Sequence, residues 1–374
     1  MKHISFVAFL FLLMICACSN KAFTQQLLPC GTDHIDTAAL RKAAIYETQH
    51  NFRIRSATPV LFRVYFHILS YDDGTNATTD QAGIVSEFNN LTADYSADNI
   101  CFLNAGIDYI YSSSLDTNYN VSSGQGPFNP FLVANCINVF YVGKIKGNNT
   151  ACATGCGFGG YTFGIPGTVS LIAKGNIGLA RTISHEVGHC MGLLHTFEPA
   201  NGQEDIDGSN SATTADLVTD TPADPYGYGA GCFATTANKC VYTGNCKDPK
   251  GRSDFSPPYK NIMAYWGVAN GGACYPNLSF TGGQFARADS YIATADNLKA
   301  CVSQADVTIG YPLLIVSSGF YINSAVNTLS TVGTVIFSGN AQVTLGGAVI
   351  KLEPGFRATP TNGGLTLIRV KQCN

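Results

Sequence analysis

An α+β fold followed by a small all-β region is what the sequence predicts, and three observations carry that expectation. Val60, Phe62, Val64, Phe66 and Ile68 alternate with other residues along 59–69, the period of a half-buried strand. Ile84, Phe88, Leu91 and Tyr95 recur at helical spacing within 80–99, so a helix is expected on the sheet to which that strand belongs. From about Asp306 the helical pattern stops, glycines multiply and short alternating runs such as 332–337 and 341–345 take over.

Taken in order, the chain begins with Lys2 and His3 and an apolar run over 4–17. That run is short for a membrane span and suits a signal-peptide core. Cys18, after Ala17 and before Ser19, also fits the lipid-anchored cysteine of a bacterial lipoprotein; ordinary cleavage near Ala22 is the other reading. Either reading makes the chain exported, secreted or held at the cell surface. A helix is expected over 37–50, and Arg53 and Arg55 suit a maturation cut before Ser56. The strand at 59–69 places Arg63 and His67 on its second face, where His67 reads as structural. Asp80 is the expected N-cap of the 80–99 helix. Further strands are expected at 107–111, 137–142 and 169–173, with a glycine-rich stretch over 152–167. Helices are expected at 178–191 and 282–300, the second opened by Thr281 and Gln284 as a capping box.

A formal net charge of −3 with 13% charged residues gives no electrostatic case for nucleic acid. Fourteen cysteines, two of them in the leader, fit an oxidising compartment, and no paired metal-ligand spacing of cysteines competes with that reading.

The chemistry concentrates in residues 185–195. His185 and His189, four apart, share one helix face and can offer two imidazoles to one ion. Glu186 beside the first ligand is the candidate general base. Gly192 ends the helix where a positive φ is needed, and His195 completes a three-histidine zinc site with a position left open. A lone histidine is usually a core or surface residue, but here three of the seven histidines fall in one short stretch at ligand spacing.

This string resembles the metzincin clan of zinc endopeptidases, which add a methionine turn downstream. Asn261-Ile262-Met263-Ala264-Tyr265 fits that turn. With His195-Thr196-Phe197, residues 216–222 and Phe280-Thr281-Gly282-Gly283-Gln284, the chain is most similar to the pappalysin (ulilysin-like) family over about 59–301. The resemblance implies a twisted mixed sheet, Met263 as a floor beneath the histidines, and Tyr265 as a hydroxyl that stabilises the oxyanion. Simple packing is the other reading of Tyr265. It further implies calcium around Asp216, Asp220 and Thr221 in an acidic loop that otherwise reads as solvated. It also implies disulfides Cys232–Cys246 and Cys240–Cys274, where spacing alone permits three pairings. Leu28-Pro29-Cys30-Gly31-Thr32 resembles the cysteine switch of related zymogens, with Cys30 as a zinc ligand; a disulfide at Cys30 is the alternative. Cys190 should point away from the metal, as a small buried residue or a bridge partner. In such folds the strand at 169–173 borders the cleft, where a peptide can pair with its free edge. Residues 266–273 hold no acid, so a preference for basic residues is not carried over.

The expected organisation is a signal peptide at 1–18, a pro-segment at 19–55, a catalytic domain at 56–304 and a β-rich accessory domain at 305–374. The expected activity is cleavage of peptide bonds in protein or peptide substrates. A rival is a surface binding or adhesion protein with a vestigial metal site, against which the retained Glu186 argues. A second rival is a zinc hydrolase of a non-peptide amide, for which the cleft-edge strand would be irrelevant.

Overall fold

The structure is a computed structural model that describes residues 30–32, 34–50, 59–147, 157–179, 181–229, 232, 241–266, 277–310, 313–318, 320–361 and 364–370. The leader with Cys18, the basic pair Arg53 and Arg55, and Cys152, Cys156, Cys240 and Cys274 lie outside the described residues. In chain order the elements are α1 (Thr37–His50), β1 (Val60–Ser70), α2 (Gln81–Tyr95), β2 (Ile100–Tyr111), α3 (Ser113–Thr117) and β3 (Ile137–Val142). They continue with β4 (Ile145–Lys146), β5 (Gly157–Phe158), β6 (Gly160–Thr162), β7 (Val169–Ala173), α4 (Thr182–Cys190), α5 (Gly282–Thr294) and α6 (Asp296–Cys301). The all-β C-terminal region holds β8 (Gln304–Ile309), β9 (Leu313–Val316), β10 (Phe320–Thr331), β11 (Thr334–Gly339), β12 (Gln342–Gly347), β13 (Val349–Lys351), β14 (Phe356–Pro360) and β15 (Leu365–Val370).

The main sheet runs β2-β1-β3-β7-β6, parallel through β7 and antiparallel at β6. Phe62, Val64, Phe66 and Ile68 of β1 enter a core with Ile84, Leu91 and Tyr95 of α2, Val187 of α4 and Phe285 of α5. The expected period-two pattern therefore faces the helices. Asp80 caps α2 by accepting from the Gly83 amide at 2.8 Å.

β1 is buried on its second face too, which the alternation did not announce. The C-terminal region covers that face: Ile322 packs on Tyr65, Ala105, Val133 and Cys136, and Val326 on Leu61, Cys101 and Leu103. The Thr344 hydroxyl donates to the Ala105 carbonyl, and the Ser303 and Ser324 hydroxyls bond across the junction. His67 is consequently fully buried, bonded through Nδ1 to Asp108 at 2.7 Å and through Nε2 to Asn138 at 3.1 Å, with its ring stacked on Phe140.

Four boundaries differ from expectation. β2 starts at Ile100, ahead of 107, because a bulge opposite Val64 and Tyr65 takes up Ala105 and conceals the alternation. α4, expected from 178, starts at Thr182 because Gly178 and Arg181 hold left-handed φ of 75° and 58°. The helix expected over 282–300 breaks at Ala295, whose ψ of 114° is extended. β7 is not the sheet edge, because β6, concealed in the glycine-rich stretch, pairs outside it.

The C-terminal strands are all parallel, arranged as β8 and β13 on β10, then β12 and β15, and as β9-β11-β14. Parallel neighbours cannot be joined by hairpins, so the chain winds between the two sheets around Ala325, Leu329, Val335, Phe337, Val343 and Leu345. Among the described residues no helix is long and apolar enough to cross a membrane.

Behind the zinc-site helix, Glu87 of α2 accepts from the Gly178 amide at 2.8 Å while its second oxygen has no partner. Burial pushes its carboxyl up to about 7, above the ordinary 4.5. The folded chain thus holds this proton more tightly than the unfolded one, and stability falls as pH rises through that window. At pH 8, Glu87→Gln should be more stable than wild type by roughly 1–3 kcal/mol, with the gap closing below about pH 4.5. Urea unfolding at the two pH values measures it; equal midpoints at both would show Glu87 to be ordinary.

Candidate metal centre and active site

α4 carries His185 and His189 on one face, and the Gly192 turn returns His195 to them. Gly192 has φ of 85°, and a Cβ there would lie 2.1 Å from the Tyr291 ring, so only glycine fits. His185 Nδ1 donates to the Ile262 carbonyl at 2.7 Å and His189 Nδ1 to the Leu193 carbonyl at 2.8 Å. Each Nε2 is thereby left with a lone pair facing the centre. The Nε2 atoms of His189 and His195 are 3.2 Å apart, and buried Nε2 of His185 has no partner. Neutral lone pairs facing one another so closely form a donor set that a shared cation stabilises. Burial lowers the pKa of His185 to about 4, and burial with the neighbouring imidazoles holds His189 and His195 well below the usual value. Neutral imidazoles at tetrahedral reach fit zinc.

Cys30 joins this set: one ligand atom from each of Cys30, His185, His189 and His195 lies within 4.8 Å of the others. Its Sγ is 3.5 Å from His189 Nε2, and it is a free thiol. Burial, then the charge of Glu186, pushes that thiol well up. Residues 30–32 lie beside β6, with a bridge from Cys30 to Gly160, and Ile35 bridges to Ile165 beyond that strand. The Gly31 amide donates to the Gly160 carbonyl at 3.0 Å. α1 then packs on α5, where Glu47 pairs with Arg287.

Glu186 is buried, and its burial lifts the carboxyl to about 7. Its Oε2 accepts from the Thr162 hydroxyl at 2.8 Å and lies 3.4 Å from the Thr32 hydroxyl. Thr32 in turn accepts from the Thr162 amide at 2.7 Å. The Tyr265 hydroxyl donates to the Cys30 carbonyl at 2.5 Å and lies 3.2 Å from His195 Nε2. Met263 packs beneath α4, where a Cβ on Gly188 would meet its sulfur at 2.7 Å. The turn is held by Asn261, whose Oδ1 accepts from the Met263 amide at 2.8 Å and whose amide group bonds Gln284 of α5.

The acidic loop does not gather as expected. Thr221 donates to Asp216 at 2.9 Å, but both Asp220 oxygens are taken at the start of α5, by the Thr281 hydroxyl at 2.6 Å and the Gly283 amide at 2.8 Å. Asp220 thus serves the start of α5, while its charge also pushes the Asp216 carboxyl up. Glu204 stands near Asp216 and beside Asp205, all three buried, each with one oxygen that no side chain or backbone group meets. Burial and then Asp216, Asp224 and Asp205 push Glu204 up to about 8.

A disulfide joins Cys232 to Cys246. Cys190 is a free buried thiol bonded to Ser170, 3.2 Å away, so it bridges to nothing. Sequence reasoning missed Thr162 and Gly160, whose strand is too short to show a period. It also took Asp224 for part of a solvated loop; Asp224 accepts from Thr196 at 2.6 Å and from the Trp266 indole at 3.0 Å, tying the third-histidine segment to the methionine turn.

Gly192→Ala should cost about 2–4 kcal/mol from the left-handed backbone and the Tyr291 overlap, and should weaken zinc binding through His195. Chemical unfolding and zinc titration measure both; wild-type zinc affinity in the variant would show that the turn does not set His195.

No family model matches the chain. It is 26% identical over 279 residues to an extracellular metalloprotease of Pyricularia oryzae, covering 69% of this chain and 84% of that protein. A promirolysin variant of Tannerella forsythia superposes with a TM-score of 0.46 at 18% identity, covering 72% of this chain and 95% of that one. A mirolysin structure gives a TM-score of 0.42 at 18% identity, covering 65% and 95%. The chain is a homologue of an extracellular metalloprotease, and His185, His189 and His195 gather at one centre with Glu186 and Tyr265 beside them.

Proposed function

We propose that the chain is an exported zinc-dependent endopeptidase, made as a latent precursor. The observation that carries this reading is the convergence of three neutral imidazole Nε2 atoms and the buried Glu186 carboxylate beside β6, the edge strand. Zinc, when bound by His185, His189 and His195, supplies Lewis acidity that activates water and polarises a carbonyl. Glu186 takes the proton from the attacking water and delivers it to the leaving amine. The Tyr265 hydroxyl, now spent on a carbonyl of the covering segment, donates to the substrate carbonyl oxygen as charge develops there. Backbone groups of β6, which now meet residues 30–32, hold an extended peptide.

The same contacts support latency. Cys30 occupies a ligand position, Thr32 meets the base, and Tyr265 is engaged by the covering chain. The apolar run at 4–17, the extracellular relative and the Cys232–Cys246 disulfide support export, with a lipid anchor at Cys18 part of the same reading. The division into leader, pro-segment, catalytic domain and accessory region follows from it.

The full chain, before and after limited trypsin treatment, is incubated with a diverse peptide library and cleavage is read by mass spectrometry. Treated wild type should cut, and a chelator should abolish the cuts. Glu186→Gln should keep zinc and lose about a hundredfold to ten-thousandfold in rate. Untreated Cys30→Ala should cut faster than untreated wild type; equal rates would sink the ligand role of Cys30. A folded, zinc-loaded, treated wild type that cuts nothing would sink the peptidase reading.

A calcium ion is also part of this reading, with Asp216 and Glu204 as its carboxylates and Thr221 supporting Asp216. Burial pushes both carboxyls up, and Asp216 beside Glu204 and Asp220 beside Asp216 push the same way; such crowded carboxylates suit a hard cation with oxygen ligands. Calcium at a hundred times its Kd should stabilise the chain by about 2.7 kcal/mol. Asp216→Asn should remove that gain in a thermal melt, whereas a melt indifferent to calcium in wild type would refute the ion.

A further inference from the structure

Glu186 does not stand alone in its pocket. A Cβ on Gly160 would lie 2.0 Å from its Oε1, so that oxygen packs against bare backbone of β6. Two residues on, the Thr162 hydroxyl lies 2.8 Å from Oε2, 3.0 Å from the Glu186 carbonyl and 2.9 Å from the Ser170 hydroxyl. Ser170 faces Thr162 across the β6–β7 pairing and lies 3.2 Å from the Cys190 thiol. Thr162, Ser170 and Cys190 are all fully buried, so no water competes for these bonds.

A hydroxyl has one proton to give. If Thr162 gave its proton to Ser170, its oxygen would sit against an ionised carboxylate with nothing between them. The ionised base therefore selects one direction: Cys190 to Ser170, Ser170 to Thr162, Thr162 to Glu186 Oε2. Thr162 thus meets one carboxylate oxygen while the bare backbone of Gly160 meets the other, so the edge strand sets where the carboxyl sits.

We propose that Thr162 is a positioning residue for Glu186, holding its carboxylate through a row of hydroxyls that passes through Ser170 and ends on Cys190. The inference rests on the peptidase reading and extends it: the edge strand that would hold the peptide also holds the base. Substrate placement and base orientation are thus set by one three-residue strand.

The test uses the full, trypsin-treated chain and its Thr162→Val, Thr162→Ser and Ser170→Ala variants, with kcat, KM and bound zinc measured for each. Thr162→Val should lose about tenfold in kcat with KM within about twofold of wild type and zinc unchanged. Thr162→Ser, which keeps the hydroxyl, should stay within about twofold of wild-type kcat, and Ser170→Ala should lose about threefold. A Thr162→Val enzyme with wild-type kcat overturns the proposal. So does a Thr162→Ser enzyme as slow as the valine variant, or a fall in kcat matched by loss of zinc, since each points to packing instead. Should Thr162→Val fail to fold, Ser170→Ala decides: zinc-loaded with wild-type kcat, it overturns the row. A zinc-loaded wild type that cuts no peptide overturns the peptidase reading and this inference with it, an outcome distinct from the others.

Discussion

The bonds from His185 to the Ile262 carbonyl and from His189 to the Leu193 carbonyl fix which nitrogen each ring turns inward. Both acceptors belong to segments with other duties: Ile262 sits in the methionine turn, and Leu193 follows the Gly192 turn that brings His195 back. The Thr196 amide donates to the Met263 carbonyl, so the third-histidine segment and the methionine turn also hold each other. A donor set whose tautomers depend on the backbone that shapes the floor is assembled as one unit. Asp224 extends the same unit by tying Thr196 to Trp266.

The covering segment uses this unit's chemistry against it. Residues 30–32 meet β6 through backbone and side-chain bonds, Cys30 meets the imidazoles, Thr32 meets Glu186 and Tyr265 meets the Cys30 carbonyl. Each contact is made to a group that the proposed reaction needs free. α1, which follows this segment, is docked on α5 through Glu47 and Arg287. The segment is thus held by a docked helix as well as by the Cys30 thiol contact.

Much of this was legible in the sequence because its period was long or its spacing specific. β1 and α2 show five and four apolar residues in register, and the ligand helix announces itself by the identities and spacing of His185, Glu186 and His189. What stayed hidden had physical causes. β6 has three residues, and Gly160 and Thr162 in it look like loop composition. The Ala105 bulge broke the alternation of β2. Asp220 and Asp216 are the same residue type in one acidic loop, and only the packing of α5 separates a helix-start carboxylate from a buried one. The second buried face of β1 could not be read from β1, because its cover comes from strands more than two hundred residues later.

That cover bears on how modular the tail is. A region of parallel coils hung on a linker could be exchanged or shed with little effect on its neighbour. Here Gly346 sits so close to Leu103 that a Cβ would lie 2.5 Å from it, and Phe320 meets the Tyr65 ring edge-on. The boundary runs through packed hydrophobic surface, with Ile322 and Val326 completing clusters that begin in the central sheet. Without the tail, β1 and β2 would show water an apolar face that their own sequence does nothing to make polar. Whatever the coils bind, they are also the back wall of the sheet that carries the cleft, so any graft of another tail must first reproduce that wall.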